Sequence, residues 1–548
     1  MSERFSNEIL VVLTATEWDV EPASTVLRIA LFGGMYQDTV NPSGLPVHYD
    51  ARVKSDIIFT KQIGLKFWAD ESGIDFGYVD CAIEDQDDEY IDFAKNVTVV
   101  RVDLYQVDLG ATVADQLKLL ATATCADIGF ANENTIRFRL DSILAEGFDN
   151  PINELYYGEE YPQLAGKPYP ISWGLIQDPM QLWPTTLVDG TSLLYHVTDI
   201  PIEQFEGEVY DRGVALYETT NFTAEQFGFT LLQNPAGRLT CGRILTLDPE
   251  DTGAYLLGLY AFIRLAMTRA GIWQYANQAE LETLEYDVGM GEQYPMYHTN
   301  KVTRLEEFLD TILGGVTGWY YVDELTEIHF GRLTDPDVES APSFDFTDSN
   351  MVGRIKVNDD KAPGLSTQVA YGFSPGAYTE DEIAGGVQGL WRTNVTNGYY
   401  VVEEVVFTIP TLWTADDASW TADDVYHTAD GFGGSYSYPV PSYYWRAGTS
   451  DPVELTIGFC DDYDCSSYEL AQNEINRWWT TLYQKRRRFY TFDVTLNDPV
   501  FNVVLPQLGE FCSVQSDRFR LIGTPKNLFI RKLKMNFSKN LLTVEGWG

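Results

Sequence analysis

The amino-acid sequence predicts a mainly β, multidomain protein with β-barrel-like domains and small α/β insertions. At 548 residues the chain is long enough for about three or four domains. Phe, Trp and Tyr make up 14% of the residues, and these side chains favour β-strands and protein–protein contacts. Many short apolar runs end at Gly or Pro, which is typical of strands joined by tight turns.

Residues 1–165 are predicted to form an N-terminal β-rich domain, either a barrel or a sandwich. Residues 136–140 alternate apolar side chains with arginines, which is the period-2 pattern of a half-buried strand. Residues 112–126 form the one segment of this domain predicted to be a helix. Further strand signals cover residues 9–13, 26–32, 56–59 and 97–105.

Residues 166–248 are predicted to form a second β-rich segment that packs with the N-terminal domain. It contains GKPYPISWG (166–174), VYDRGVALY (209–217) and NPAGRLTCGRI (234–244). The prolines of the first piece favour an extended backbone, and the Asp-Arg-Gly of the second predicts a hairpin turn. The Pro-Ala-Gly of the third predicts another turn ahead of a strand.

These three pieces, in this order, resemble the tail-tip or baseplate hub proteins of long-tailed bacteriophages. Members of that family carry GKPxPIxxG, then VYDxGVxL, then PAGxxT. Family-like features recur near the C-terminus, in residues 369–384, in the turn at 506–510 and in the terminal strand 541–548. The resemblance therefore covers about residues 166–244 and 369–548. The alternative source of such a pattern is another kind of β-rich surface domain.

Residues 249–345 are predicted to form a small α/β domain, and the resemblance implies such domains between β-barrels. The predicted order is a helix over 254–270 capped by Gly271, a strand over 283–288, a helix over 305–312, and a hairpin of residues 318–321 with 327–331. Residues 346–548 are predicted to form a C-terminal β-rich domain with one helix (466–488) and one inserted loop (411–436).

The inserted loop and the end of the C-terminal helix supply the predicted interaction residues. In the loop, a Trp-Thr-Ala-Asp-Asp unit occurs twice, and its spacing does not fit a calcium-binding loop, so we expect it to clasp a neighbouring subunit. Four basic residues lie at the C-terminal end of the predicted helix. They give the C-terminal part of the chain a positive charge that favours contact with an acidic surface of a neighbouring subunit. The predicted interaction residues are Trp413, Asp416, Asp417, Trp420, Asp423, Asp424, Lys485, Arg486, Arg487 and Arg488.

The charge of the chain argues against stable binding to nucleic acid. Lys plus Arg number 37 and Asp plus Glu number 81, for a net charge of −44, whereas phosphate affinity is supplied by Lys and Arg. No signal peptide and no apolar run long enough for a membrane span are recognised. The six scattered cysteines fit assembly in a reducing cytoplasm.

Sequence motifs do not predict a reaction centre. The five histidines (His48, His196, His298, His329 and His427) are far apart in sequence, and Cys460 with Cys465 is too small a set for zinc. We therefore expect no catalytic residues, no cofactor and no metal. A glycan-degrading enzyme is an alternative, because carboxylates are abundant and aromatic rings could stack on sugars.

The resemblance implies a homotrimeric hub that closes the tail tube, attaches fibres or a spike, and opens for genome ejection. The implied partners are other copies of the chain, the distal tail protein, the tape-measure protein, and the fibre or spike proteins. The expected location is the virion tail tip, after assembly in the host cytoplasm. The alternative within the same particle is a receptor-binding or fibre-attachment protein.

Overall fold

The computed structural model confirms a mainly β, multidomain chain. In the described part of the chain, no helix has both the length and the apolar character needed to cross a membrane. The residues that the structure describes are 7–18, 25–37, 45–64, 73–75, 77–83, 88–108, 118–174, 182–205, 209–242, 244–251, 254–288, 297–314, 317–337, 342–359, 366–373, 376–389, 392, 396, 399–406, 444–447, 453–454, 487–496, 505–517 and 525–548.

The N-terminal part forms an eight-stranded sheet in the order β3-β4-β2-β1-β8-β9-β10-β7. Its elements, with two further strands and two helices, are β1 (Asn7–Trp18), β2 (Val26–Ala30), β3 (Gly34–Tyr36), β4 (Val47–Ala51), β5 (Ile58–Gln62), β6 (Gly73–Asp75), β7 (Tyr78–Ala82), α1 (Asp88–Asn96), β8 (Val97–Asp108), β9 (Lys118–Asn132), β10 (Thr135–Asp141) and α2 (Ala145–Asp149). β1 is buried on both faces. Leu10 and Val12 contact one apolar cluster, whereas Ile9, Val11 and Leu13 face the main core.

The helix predicted over residues 112–126 is wrong where the structure describes it. Residues 118–126 belong to β9, which pairs with β8 and β10. Thr122 and Thr124 alternate with Ala121, Ala123 and Cys125, and this period-2 pattern with β-branched side chains suits a strand between two partners. The Leu and Ala content that favours a helix is a weaker determinant than pairing on both edges.

The middle part contains two four-stranded sheets that share one core. Their orders are β12-β20-β16-β17 and β13-β14-β19-β18, and side chains such as Trp183 and Phe229 from the two sheets pack together. The strands here are β11 (Ile171–Trp173), β12 (Trp183–Pro184), β13 (Thr186–Asp189), β14 (Leu194–His196), β15 (Ile202–Phe205), β16 (Val209–Asp211), β17 (Val214–Leu216), β18 (Phe222–Glu225), β19 (Gly228–Leu231), β20 (Leu239–Cys241) and β21 (Ile244–Thr246). The predicted hairpin over residues 209–217 is confirmed as β16–β17.

The α/β part follows with three α-helices, a short 3₁₀ helix (Trp273–Tyr275) and a hairpin. Its elements are α3 (Gly258–Ala270), α4 (Gln278–Asp287), β22 (Tyr297–Thr299), α5 (Leu305–Gly314), β23 (Gly318–Val322) and β24 (Ile328–Arg332). Gly271 ends α3 with a φ of 81°, so the predicted left-handed cap is confirmed. The strand predicted over residues 283–288 is wrong, because Asn277 caps α4 and Leu281 and Leu284 bury its apolar side.

The C-terminal part is built around a sheet in the order β25-β32-β33-β34-β31-β26. A smaller sheet has the order β28-β27-β29-β30. The strands are β25 (Phe344–Phe346), β26 (Met351–Asp359), β27 (Ser366–Phe373), β28 (Tyr399–Val406), β29 (Tyr444–Ala447), β30 (Val453–Glu454), β31 (Arg488–Thr495), β32 (Phe511–Val514), β33 (Lys526–Asn536) and β34 (Leu541–Trp547). The predicted loop 411–436 and residues 466–486 of the predicted helix lie outside the described residues.

One strand from the N-terminal part completes the C-terminal sheet. β5 pairs with β33 through Gln62–Lys532, Thr60–Lys534 and Ile58–Asn536, and β6 extends the sheet beyond β5. One apolar core runs from Ile9 to Trp547 through residues of all four predicted domains. The first and last parts of the chain thus share a sheet. The domain boundaries stay a prediction.

Candidate functional site

Two of the segments that carry the sequence resemblance are joined by hydrogen bonds at their turns. The turn between β16 and β17 has positive φ at Arg212 (52°) and Gly213 (79°), which is the pattern of a type I′ hairpin turn. Asp211, just before this turn, accepts hydrogen bonds from the backbone amides of Ala236 (2.6 Å) and Gly237 (3.0 Å). The carboxylate of the second motif thus fixes the Pro-Ala-Gly turn of the third.

The segment at residues 376–384 closes over both turns. Arg238 donates to a carboxylate oxygen of Glu382 (2.9 Å), and Arg212 donates to the backbone carbonyl of Glu382 (3.1 Å). Tyr378 is buried, and its hydroxyl donates to the carbonyl of Tyr210 (2.9 Å). We call the set of Asp211, Arg212, Arg238, Tyr378 and Glu382 the motif junction.

The motif junction is held by charge as well as by packing. The backbone amide of Thr379 (2.9 Å) and the guanidinium of Arg238 hold the pKa of Glu382 below its ordinary value. The side chains of Arg238 and Glu382 are each about one-third exposed, so the pair stays in contact with solvent. This arrangement joins segments 144 positions apart in sequence into one fixed contact.

The first motif segment is buried beside a histidine. The hydroxyl of Ser172 donates to the carbonyl of Val197 (2.7 Å) and lies 3.0 Å from Nδ1 of His298. Burial lowers the pKa of His298 to about 4, so this ring is neutral near pH 7. With Ser172 fully buried, the pair acts as a structural contact.

Trp173 of the same segment is tied to α3 by a buried ion pair. Its indole N–H donates to Asp199 (3.0 Å), and Arg269 pairs with the other carboxylate oxygen of Asp199. The Arg269 guanidinium also lies 5.2 Å from the Trp173 ring centroid. Burial raises the pKa of Asp199, and the charge of Arg269 opposes this shift. The first motif therefore anchors the middle part of the chain to the helices.

A second group of polar side chains lies at the β23–β24 hairpin. We call Glu280, Asp323, Glu327 and His329 the His329 cluster. Nδ1 of His329 lies 3.0 Å from both carboxylate oxygens of Glu280 on α4. On the other side of the ring, Nε2 lies 3.6 Å from Asp323 Oδ2 and 3.9 Å from Glu327 Oε2. Tyr321 stacks on the ring, with centroids 4.9 Å apart.

The hairpin turn itself orients Asp323. Its Oδ1 accepts the backbone amides of Leu325 (2.9 Å) and Glu327 (2.7 Å), which leaves Oδ2 facing His329. Burial raises the pKa of Asp323, but His329 and these amides outweigh it, and the net shift is downward. Burial also lowers the pKa of His329, whereas Asp323 and Glu280 raise it to about 9. In the absence of an ion the imidazole is therefore protonated near pH 7.

The neighbouring residue of the turn pairs with a buried lysine. Lys61 on β5 is 1% exposed, and its ammonium donates to Glu324 (2.8 Å) and Gln507 (2.6 Å). The turn of the β23–β24 hairpin thus contacts a strand from the N-terminal part and a loop from the C-terminal part. Glu324 is occupied by Lys61, so it does not take part in the His329 cluster.

The predicted interaction residues fall mostly outside the described residues. That is the case for Trp413, Asp416, Asp417, Trp420, Asp423, Asp424, Lys485 and Arg486. Arg487 is described, and its guanidinium is buried against Asp335 and Asp337, at 2.8 Å from each. Arg488 begins β31. A role of these residues in binding a neighbour stays a prediction.

In the sequence, His329 is one of five histidines that lie far apart, and the cluster was not predicted. The signal that could have found it is the spacing of Asp323, Glu327 and His329 within the hairpin that was predicted. Glu327 and His329 are two positions apart, so a strand that includes both would place them on the same face. Glu280 is 49 positions away from His329, so its approach depends on how α4 packs on β24.

Comparisons with known proteins leave the family of the chain open. No protein-family model matches the sequence, and no curated protein matches it. Among solved structures, one similar chain is the 43 kDa tail protein of prophage MuSo2 from Shewanella oneidensis. It is 9% identical with a TM-score of 0.38, and the match covers 99% of this chain and 98% of that one.

Two further solved structures are similar at the same low level. A chain of the Francisella PdpA-VgrG complex in its half-lidded form is 9% identical with a TM-score of 0.30, and the match covers 99% of this chain and 58% of that one. The prophage tail protein gp18 from Listeria monocytogenes EGD-e is 8% identical with a TM-score of 0.23, at 90% and 94% coverage. These identities and TM-scores do not assign the chain to a family.

Proposed function

We propose that this chain is a structural protein of a phage tail, and more specifically the central hub of the tail tip or baseplate. It would close the tail tube, hold fibres or a spike, and open for genome ejection. The observation that carries the proposal is the motif junction. Three sequence segments that resemble hub proteins, at residues 209–217, 234–244 and 369–384, contact one another in the fold, the last through its residues 376–384.

A hub has to transmit force between the tube and the tip without unfolding, and the motif junction suits this task. Its turns are fixed by positive φ at Arg212 and Gly213 and by the two amide hydrogen bonds to Asp211. Gly213 packs closely against the side chain of Ile383. A Cβ added at Gly213 would lie 3.1 Å from that side chain. Such a contact resists relative movement of its segments, since a shift breaks several hydrogen bonds together.

The net charge of −44 suits a wall around a channel for DNA, because an acidic surface repels a polyanion and keeps it moving. In this proposal the chain acts without catalysis, as a homotrimer on the tail axis. Its partners would be the distal tail protein, the tape-measure protein, and the fibre or spike proteins, and its location the virion.

The proposal is tested on purified tails with an antibody against the chain and on the purified chain alone. We expect label at the distal end of the tail, three copies per particle by quantitative mass spectrometry, and a trimer mass in solution. A chain that is absent from the particle, or a monomer that hydrolyses peptidoglycan or capsule, would overturn the proposal. A copy number well above three with peripheral label would indicate the receptor-binding alternative.

A further inference from the structure

We propose that Asp323, Glu327 and His329 form a binding site for one divalent transition-metal ion of the zinc class. The inference is independent of the proposed tail function. Among the residues that the structure describes, these three offer ligand atoms that all lie within 4.8 Å of one another. An imidazole nitrogen and two carboxylate oxygens are ordinary zinc ligands.

The imidazole of His329 presents a ring nitrogen that has no hydrogen-bond partner. Nε2 is fully buried, and its nearest acceptor, Asp323 Oδ2, is 3.6 Å away, beyond hydrogen-bonding distance. Nε2 therefore faces Asp323 across a long contact, and a metal ion coordinated by the deprotonated nitrogen would replace that contact with a direct bond. The nitrogen points between the two carboxylates, so the cluster is more than a group of acidic side chains.

The second ring nitrogen is held in the way that metal-binding histidines require. Nδ1 faces both oxygens of Glu280 at 3.0 Å, so a neutral imidazole donates its Nδ1–H there and keeps the lone pair on Nε2. A carboxylate behind a histidine ligand fixes the tautomer and the ring orientation. Stacking on Tyr321 restrains the ring further.

The distances fit a small ion. Zinc bonds of about 2.0–2.1 Å in a tetrahedral arrangement place the ligand atoms roughly 3.4 Å apart. Nε2 already lies 3.6 Å from Asp323 Oδ2 and 3.9 Å from Glu327 Oε2. The three ligand atoms lie within 4.8 Å of one another, and Oδ1 of Asp323 is held by two backbone amides, so the side chain of Glu327 and the ring have to move toward Asp323 to close the site.

The local charge also favours a dication. Three carboxylates face His329, whereas Lys61 is already paired with the adjacent Glu324. One imidazolium leaves two of these three negative charges uncompensated. A divalent ion with a neutral imidazole neutralises one more, and the proton that leaves Nε2 goes to solvent. Glu327 is half exposed, so the ion can enter from that side and a water can complete its coordination.

The experiment is isothermal titration calorimetry on the full chain after a chelator has removed any bound metal. ZnCl₂ is titrated into the protein, and CaCl₂ and MgCl₂ are titrated in separate runs. We expect one zinc equivalent that depends on His329, with calcium and magnesium much weaker because these ions prefer all-oxygen sites. Carrying Cys460→Ser and Cys465→Ser in the background removes thiols that could bind zinc elsewhere. Circular dichroism checks that each variant is folded.

The variants decide between a metal site and a purely internal ion pair. His329→Gln should abolish this equivalent, and Glu327→Gln, at a half-exposed position where folding is little affected, should weaken it at least tenfold. Glu280→Gln should weaken it about 10- to 100-fold, because it removes the carboxylate that orients the ring. The matched control is His48→Gln, a histidine with a single neighbouring carboxylate, which should leave binding unchanged. Zinc binding that is absent, or that is the same in His329→Gln, would overturn the proposal.

Discussion

His196 and His329 are both largely buried, but their surroundings are opposite in character. His196 lies among the rings of Tyr157, Tyr169 and Phe227, with centroids 4.8–5.9 Å away, and burial lowers its pKa to about 4. Burial acts in the same direction on His329, but the carboxylates of Asp323 and Glu280 outweigh it and raise its pKa to about 9. Burial alone therefore does not set the charge of a histidine, and the partner within reach decides it.

The two regions contribute differently to the protein. The aromatic surroundings of His196 stabilise the fold by excluding water, and they contain a polar ring only in its neutral form. The His329 cluster places three carboxylates around one imidazole at a hairpin turn and orients a ring nitrogen toward the proposed ion site. If the surroundings set the charge of each ring, substitutions in them should change the stability of the protein and its dependence on pH. Unfolding is measured in a chelator so that metal binding does not contribute.

The largest effect should come from removing the acid that pairs with His329. Asp323→Ala should lower the free energy of unfolding by about 3 kcal/mol, because it removes the most buried of the three carboxylates that face the protonated His329. It also removes the acceptor for the amides of Leu325 and Glu327. Chemical denaturation of the full chain measures this change.

Asp323→Asn is the matched control for the charge. Its side-chain oxygen can still accept the two amides, so we expect a smaller loss of about 1–2 kcal/mol. Equal losses for the two variants would mean that the turn gains nothing from the charge of Asp323. Losses below about 0.5 kcal/mol for both would contradict a buried ion pair at His329.

The second prediction concerns acid. The folded-state pKa of His196 lies below the unfolded value of 6.5, so its contribution to stability is fully present above pH 6.5 and is lost as the pH falls toward 4. Relative to His196→Gln, the wild type should lose about 2 kcal/mol over this window. Burial also lowers the pKa of His298, so its contribution to stability is lost in acid in the same way. In the double variant with His298→Gln, the free energy of unfolding should therefore depend even less on pH over this window.

The third prediction concerns alkaline pH, where the contribution of His329 to stability should show the opposite pH dependence. The folded-state pKa of His329 lies above 6.5, so its contribution is present below pH 6.5 and is lost as the pH rises toward 9. Because Glu280 and Glu327 are partly in solvent, we expect a loss of only about 1 kcal/mol between pH 6.5 and 8.5 relative to His329→Gln. A wild type and a variant with parallel pH profiles would contradict a charged His329.

Local signals in the sequence predicted much of this architecture. The β16–β17 hairpin follows from the Asp-Arg-Gly turn, and the end of α3 follows from Gly271, because both depend on backbone geometry within a few residues. The β23–β24 hairpin was predicted in the same way. Since this hairpin carries Asp323, Glu327 and His329, three of the four members of the His329 cluster could have been brought together from sequence alone.

Contacts between distant parts of the chain could not be predicted. No pattern in residues 56–59 indicates that β5 leaves its own neighbours and pairs with β33, because pairing partners are not encoded in a single strand. The alternating Ala and Thr of β9 were ambiguous for a similar reason, since pairing with β8 and β10 decides their conformation. Glu280 reaches His329 only because α4 packs on β24.

The smallest effect should come from His48, which serves as the solvent-exposed reference for the comparison. Its Nδ1 lies 3.0 Å from Asp50, as close as His329 lies to Glu280, but the two side chains are 64% and 37% exposed. Exposed ion pairs contribute little because water screens them, so His48→Gln should change the free energy of unfolding by less than about 0.5 kcal/mol at any pH from 5 to 8. Urea titrations at pH 5, 6.5 and 8 measure this. A change as large as that of His329→Gln would show that a nearby carboxylate is sufficient without burial, and the contrast between His196 and His329 would then need another cause.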